Sequence, residues 1–157
     1  MSDADSTVWG IDIAPTRIAI AVFRPDGYRW SETTTLNKGG RQYDRIRDAL
    51  RSCEKDNGEP SQICIEQPAL PFVKATFMAG AVCARLEDAI FGLHPHVIIR
   101  WMQPSEWRKW GGLSGRASKD EVMEFARNVG FAPDDQDQAD AGVVALARWN
   151  EILQEDD

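Results

Sequence analysis

Four acidic side chains stand where apolar residues are expected. Asp12 interrupts the run Val8-Trp9-Gly10-Ile11-Asp12-Ile13, and Glu66 follows Ile63-Cys64-Ile65. Both runs read as strands of branched and aromatic residues, and a central strand of an α/β sheet is apolar on both faces. A carboxylate there is costly unless it is paired or bound to a metal. Taken singly, each has a plain explanation: Asp12 caps the turn Ala14-Pro15-Thr16, and Glu66 is a strand-end acid ahead of Pro68. The stretch Asp134-Asp135-Gln136-Asp137-Gln138-Ala139-Asp140 has a similar one, because acids at a helix N-terminus cap the first turn and complement its dipole. Asp134 and Asp135 suit that role. Asp140 suits it less, since it shares a helical face with Val143, Val144 and Ala147, and Asp137 lies one turn earlier on nearly the same face. Two carboxylates a turn apart on a core-facing surface repel unless a cation sits between them.

Considered together, the four acids point to chemistry. If the strand of Glu66 runs parallel beside that of Asp12, both carboxylates reach the same sheet edge, which is where α/β sheets build their sites. An all-oxygen set of Asp12, Glu66, Asp137 and Asp140 suits Mg²⁺ or Mn²⁺ better than zinc. Two such ions about 3.5–4 Å apart activate a water and stabilise the departing 3′-oxygen of a phosphodiester. Metal-dependent nuclease chemistry is the expected use.

The elements that must position these acids are legible in outline. Val8 to Ile13, Arg17 to Phe23 and Tyr28 to Leu36 form an antiparallel meander, the last two joined by the turn Pro25-Asp26-Gly27. Tyr43 to Lys55 has apolar residues at helical spacing. A short strand, Gln62 to Gln67, precedes a helix from Val73 to Phe91 rich in small residues, and His96 to Trp101 is a fifth strand. Glu106 to Trp110 suggests a helical turn, Gly111 to Gly115 a flexible loop, and helices follow at Lys119 to Val129 and Asp135 to Leu153. The order βββαβαβαα predicts an α/β domain: a mixed five-stranded sheet, three strands antiparallel and then two parallel, with helices on both faces. One domain over residues 1–157 is expected, with 1–6 and 154–157 as flexible ends.

Composition bounds the rest. The chain has 157 residues, 43% hydrophobic and 27% charged, which excludes general disorder. Its longest clean apolar run, Ile18 to Phe23, is far short of the roughly 20 residues a membrane helix needs. The opening Met1-Ser2-Asp3-Ala4-Asp5 carries no export signal, and the odd set Cys53, Cys64 and Cys83 reads as reduced thiols, so a cytoplasmic protein is expected. The net charge of −7 is unevenly spread. The segment from Asp134 to Asp157 carries eight acids and one base, whereas Arg100 to Lys119 carries five bases and one acid. Nucleic acid therefore remains an available partner, through that basic segment.

The motifs Gly10-Ile11-Asp12, Ile65-Glu66-Gln67, Trp107-Arg108-Lys109 leading to Gly112-Leu113-Ser114-Gly115-Arg116-Ala117-Ser118-Lys119, and Asp137-Gln138-Ala139-Asp140-Ala141 carry a resemblance. In that order and spacing, the chain resembles the RuvC-type Holliday junction resolvases of the RNase H-like superfamily, in the divergent form found in phages. The resemblance implies a homodimer that cuts four-way DNA junctions symmetrically with Mg²⁺, leaving 5′-phosphate ends, in the cytoplasm of a bacterial or phage-infected cell. It implies that Asp12, Glu66, Asp137 and Asp140 are the catalytic and metal-binding carboxylates and that Lys119 is a catalytic basic residue close to the scissile phosphate. Lys109 matches an upstream basic residue of the DNA-contacting segment, and Phe72 matches the aromatic that stacks at the junction. Lys74, shortly after it, joins the expected DNA-binding set.

The basic segment also reads physically. Arg108, Lys109, Arg116 and Lys119 surround a glycine-rich stretch and can follow a bent phosphate backbone. Trp107 and Trp110 either stack on unpaired bases, worth about 1–3 kcal/mol each, or pack beneath the loop. Trp9, Trp30, Trp101 and Trp149 are expected in the core, and His94-Pro95-His96 is expected to be structural. Three rival readings remain. A YqgF-like nuclease acting on RNA shares an opening similar to Asp12 with Thr16-Arg17-Ile18-Ala19-Ile20-Ala21. An actin-like ATPase needs a second domain and a glycine where Ala14-Pro15 stands. A catalytically silent DNA-binding protein has no use for all four acids.

Overall fold

The computed structural model describes residues 6–36, 40–68 and 73–157, the side chains at 40 and 73–76 excepted. Strands β1 (Val8–Ala14), β2 (Arg17–Phe23) and β3 (Arg29–Thr35) form the antiparallel meander. They are followed by α1 (Gly40–Asn57), β4 (Gln62–Glu66), α2 (Val73–Leu93), β5 (Ile98–Met102), α3 (Pro104–Gly111), α4 (Lys119–Asn128) and α5 (Gln136–Glu155). The sheet order is β3-β2-β1-β4-β5, with β1, β4 and β5 parallel, so β1 lies at its centre.

Alternation along the strands divides the core in two. Trp9, Ile11, Ile13, Ile18, Ile20, Ile63 and Ile65 face α1 and α2, packing on Ile46, Leu50, Leu86 and Ile90. Val8, Ala19, Ala21, Phe23, Cys64 and Met102 face the other way, toward Trp107, Val122, Ala126 and the α5 residues Val143, Val144 and Ala147. Small residues dominate the second face because α5 lies close on it. A Cβ built on Gly10 would stand 2.0 Å from the Ala141 carbonyl oxygen and 2.5 Å from the Ala145 nitrogen. Only glycine admits that approach, and the approach brings the first turn of α5 over the end of β1.

Several boundaries differ from expectation for local reasons. The turn expected at Glu106 to Trp110 is a full helix, α3, with Pro104 at its start, so the chain ends in three helices rather than two. The stretch expected to be a flexible loop after it is hydrogen-bonded: Gly112, at φ 105°, closes α3, and the Leu113 and Ala117 amides donate to the Arg108 and Ser114 carbonyls at 2.8 and 3.0 Å. Strand β5 begins at Ile98 instead of His96, because the Val97 amide turns back to the His94 carbonyl. The buried His94 meets Trp9 edge-on and lies 3.4 Å from Glu54, a structural setting as expected. Helix α5 continues through Glu155, two residues into the expected C-terminal flexible end, and residues 1–5 of the N-terminal one lie outside the described residues. Among the described residues, no helix is long and apolar enough to cross a membrane.

Candidate metal centre

Parallel pairing of β1 with β4 ends at Ile11 opposite Ile65, so the next residues on the two strands are Asp12 and Glu66. Both point to the face covered by α5. Helix α5 is capped by Asp135, whose side chain accepts a 2.8 Å hydrogen bond from the Gln138 amide, and its first turns run above this edge. Ala139 and Ala141 are fully buried, and the closeness permitted by Gly10 lowers Asp140 between the two strand carboxylates. Ligand oxygens of Asp12, Glu66 and Asp140 all lie within 4.8 Å of one another.

The electrostatics of this cluster are unfavourable in the chain by itself. Burial, and then the charges of Glu66, Asp140 and Asp137, push Asp12 up to about 9 from its ordinary 3.8. Burial followed by the charge of Asp140 lifts Glu66 to about 7, against an opposing pull from Arg108. Asp140 is raised by burial as well; a 2.9 Å hydrogen bond from Gln136 and the charges of Arg108 and Lys119 oppose the rise. Glu66 Oε2 is buried and has no hydrogen-bond partner among the described residues. A buried acceptor left unpaired is a costly state that a cation relieves. The all-oxygen donor set and its spacing fit a hard divalent ion such as Mg²⁺ or Mn²⁺.

The fourth expected ligand, Asp137, adjoins Asp12 and is paired on its outer side as well. Asp137 adds its charge to the cluster but gives Oδ2 to an ion pair with Arg17 Nη2 at 3.1 Å. Arg17 opens β2, just past the turn that follows β1. Its place beside the acids depends on an antiparallel turn and a helix 120 residues later, which residue spacing does not reveal. Gln136 is a different case: it stands four residues before Asp140 on one helical face, a spacing that the sequence does show.

The expected nucleic-acid contacts divide. Lys119 is exposed at the start of α4, where Ser118 and Glu121 form a reciprocal capping box that sequence reading passed over. Lys109 and Arg116 are exposed, and Arg108 lies half-buried, its Nε without a partner among the described residues and its charge bearing on Glu66 and Asp140. Of the two expectations for Trp107, burial holds: its exposure is 0%, so this ring has no face open for stacking on a base. Trp107 lies on the buried face of α3, the same helix that carries Arg108, and packs with the α5 residues of that core. Trp110 is partly buried against the same cluster. Arg100, counted within the basic segment, is bound to Glu106 at 2.7 Å and to Glu151 at 3.0 Å. Phe72 and the side chain of Lys74 lie outside the described residues.

No protein-family model matches the sequence, and no curated protein matches it significantly. Solved structures do share the fold. RuvC from Thermus thermophilus superposes with a TM-score of 0.73 at 18% identity, covering 95% of this chain and 96% of that one. The same protein in complex with a Holliday junction substrate gives 0.74 at 17% identity over the same shares. A fowlpox virus resolvase bound to Holliday junction DNA gives 0.53 at 14% identity, covering 94% and 98%. The chain thus has the RNase H-like fold in the form seen in RuvC-type resolvases.

Proposed function

We propose that this chain is a divalent-metal-dependent endonuclease that cuts branched DNA, the four-way Holliday junction above all. The carrying observation is the convergence of Asp12, Glu66 and Asp140 at the sheet edge, with a buried Glu66 oxygen that has no partner among the described residues. Two neighbours of this fold are described with Holliday junction DNA, which supports the choice of substrate. Asp12, Glu66 and Asp140 would hold one Mg²⁺ and Asp137 would help hold a second, with Mn²⁺ able to substitute. When bound, such ions supply a nucleophilic water at neutral pH and neutralise charge on the leaving oxygen.

The chain's own residues do the positioning. Lys119, at a helix N-terminus with its charge felt at Asp140, would meet the scissile phosphate. Arg108 and Lys109 on α3 and Arg116 in the turn between α3 and α4 would guide the phosphate backbone, as would Lys74. Phe72, between Glu66 and α2, is proposed to stack where the strands part. A four-way junction presents two symmetry-related strands, so two sites related by a two-fold axis are needed, and a homodimer supplies them. Free cysteines at 53, 64 and 83 suit a reducing bacterial or phage-infected cytoplasm.

The test is a cleavage panel of four-way, three-way, flap and linear duplex DNA, and RNA, with Mg²⁺ and with EDTA. Paired nicks confined to the four-way form, dependent on metal and ending in 5′-phosphates, are expected. Cutting of RNA alone would favour the YqgF-like alternative, and junction binding without cutting would favour a silent DNA-binding protein.

A further inference from the structure

We infer that Arg17 is a displaceable counter-cation for Asp137: it occupies that carboxylate in the free chain and releases it to a second divalent ion when Arg17 takes a backbone phosphate of the nucleic acid. The inference rests on the metal-centre reading above and assigns Arg17 a positioning role within it. Three carboxylates converge closely enough to share one ion, while the fourth, at the lip of the same cluster, is bound to Arg17. The Arg17 side chain is 54% exposed and that of Asp137 is 26% exposed. A pair this open is weak and readily exchanged, because water screens it and the long arginine side chain is entropically costly to hold.

A guanidinium prefers phosphate as readily as carboxylate, binding either through a planar fork. Arg17 sits on the β1–β2 side of the acids, and Arg108 and Lys119 bear on them from the α3–α4 side. A strand crossing the cluster between these cations therefore passes Arg17. Moving Arg17 onto that strand removes a positive charge from the second ion's place and frees a ligand for it. The second ion then binds more tightly with substrate than to the free chain, which at low metal concentration holds one.

Manganese titration calorimetry of the purified chain without DNA tests the first half, comparing wild type, Arg17→Ala and Arg17→Lys. One binding event per chain is expected for wild type and Arg17→Lys. At the same manganese concentrations Arg17→Ala should show a second event that the wild-type isotherm lacks, as a gain of about fivefold in the second ion's affinity brings it into range. Matching isotherms for wild type and Arg17→Ala, or two ions already bound by the wild-type chain, would overturn the inference while leaving the metal centre intact. Manganese heat missing from every variant would overturn the metal centre itself, and this inference with it. The second half is read from four-way junction binding in EDTA at several salt concentrations. Arg17→Ala should make the slope of log affinity against log salt shallower by about 0.9, one phosphate contact's worth; an unchanged slope refutes the transfer to phosphate. Since Arg17 is exposed, unchanged thermal melts of both variants check that folding is intact.

Discussion

Replacing Asp12 with asparagine should make the metal-free protein more stable while removing its activity. In the folded chain without metal, Asp12 holds its proton up to about pH 9, whereas the unfolded chain releases it near 3.8. An acid raised in this way contributes stability below its unfolded value and loses it as pH rises through the folded one. At pH 7.5 the interval above the unfolded value is about 3.7 pH units, which at about 1.4 kcal/mol each is about 5 kcal/mol lost. The neighbouring Glu66 and Asp140 share the strain and adjust when one charge goes, so about 2–5 kcal/mol should be recovered by Asp12→Asn. For a domain of this size that is a rise in Tm of about 5–15 °C, at about 2–4 °C per kcal/mol. Thermal unfolding followed by circular dichroism in EDTA at pH 7.5 measures it. At pH 5 the gain should shrink below about 2 kcal/mol, because less proton release is at stake. Mg²⁺ should raise the wild-type Tm and leave the variant unmoved, and junction binding should survive while cleavage does not. A variant that melts lower than wild type in EDTA at pH 7.5, or that still cuts at the normal rate, would refute the account of the cluster.

Other outcomes follow from the same geometry. Lys119→Ala should slow junction cleavage on the order of 10²-fold, as loss of a transition-state cation does, while junction affinity in gel-shift titrations weakens far less; the reverse pattern would deny it a place at the scissile phosphate. Gly10→Ala forces a methyl group to within 2.0 Å of the Ala141 carbonyl oxygen, so a loss of at least about 3 kcal/mol in denaturant unfolding is expected. Trp107→Ala should cost about 3–5 kcal/mol of stability, visible in urea titration, and saturating DNA should not protect this indole's fluorescence from quencher more than solvent exclusion in the free chain already does. In EDTA, wild-type stability should fall as pH rises from about 5 through about 7 and 9, the values to which Glu66 and Asp12 are lifted, and saturating Mn²⁺ should flatten that decline.

Much of the fold was readable because its signals are local. Strand lengths at β1 and β2, the Pro25-Asp26-Gly27 turn and the helical spacing in α1 each depend on neighbours within a dozen residues. Asp12 and Glu66 were legible as anomalies because an acid among isoleucines needs a reason, and Asp140 because its helical neighbours are apolar. Trp107 and Trp110 were not legible in the same way: an aromatic beside arginines is equally suited to a base or to a core, and only the packing of α3 on α5 separates the two. Arg100 looked like part of a DNA-facing run until Glu151, from the last helix, closed on it.

Residue types and their order determined that this chain carries an α/β sheet with acids embedded in apolar strands, and hence a need for cations. Tertiary structure decided which acids meet. The β1–β4 register put Asp12 beside Glu66, the missing side chain of Gly10 let α5 bring Asp140 down to them, and the turn between β1 and β2 put Arg17 against Asp137. Each of these is a distance between residues far apart in the chain. Coulomb energies and ligand geometry depend on such distances over a few ångströms, and a linear order of residue types does not specify them.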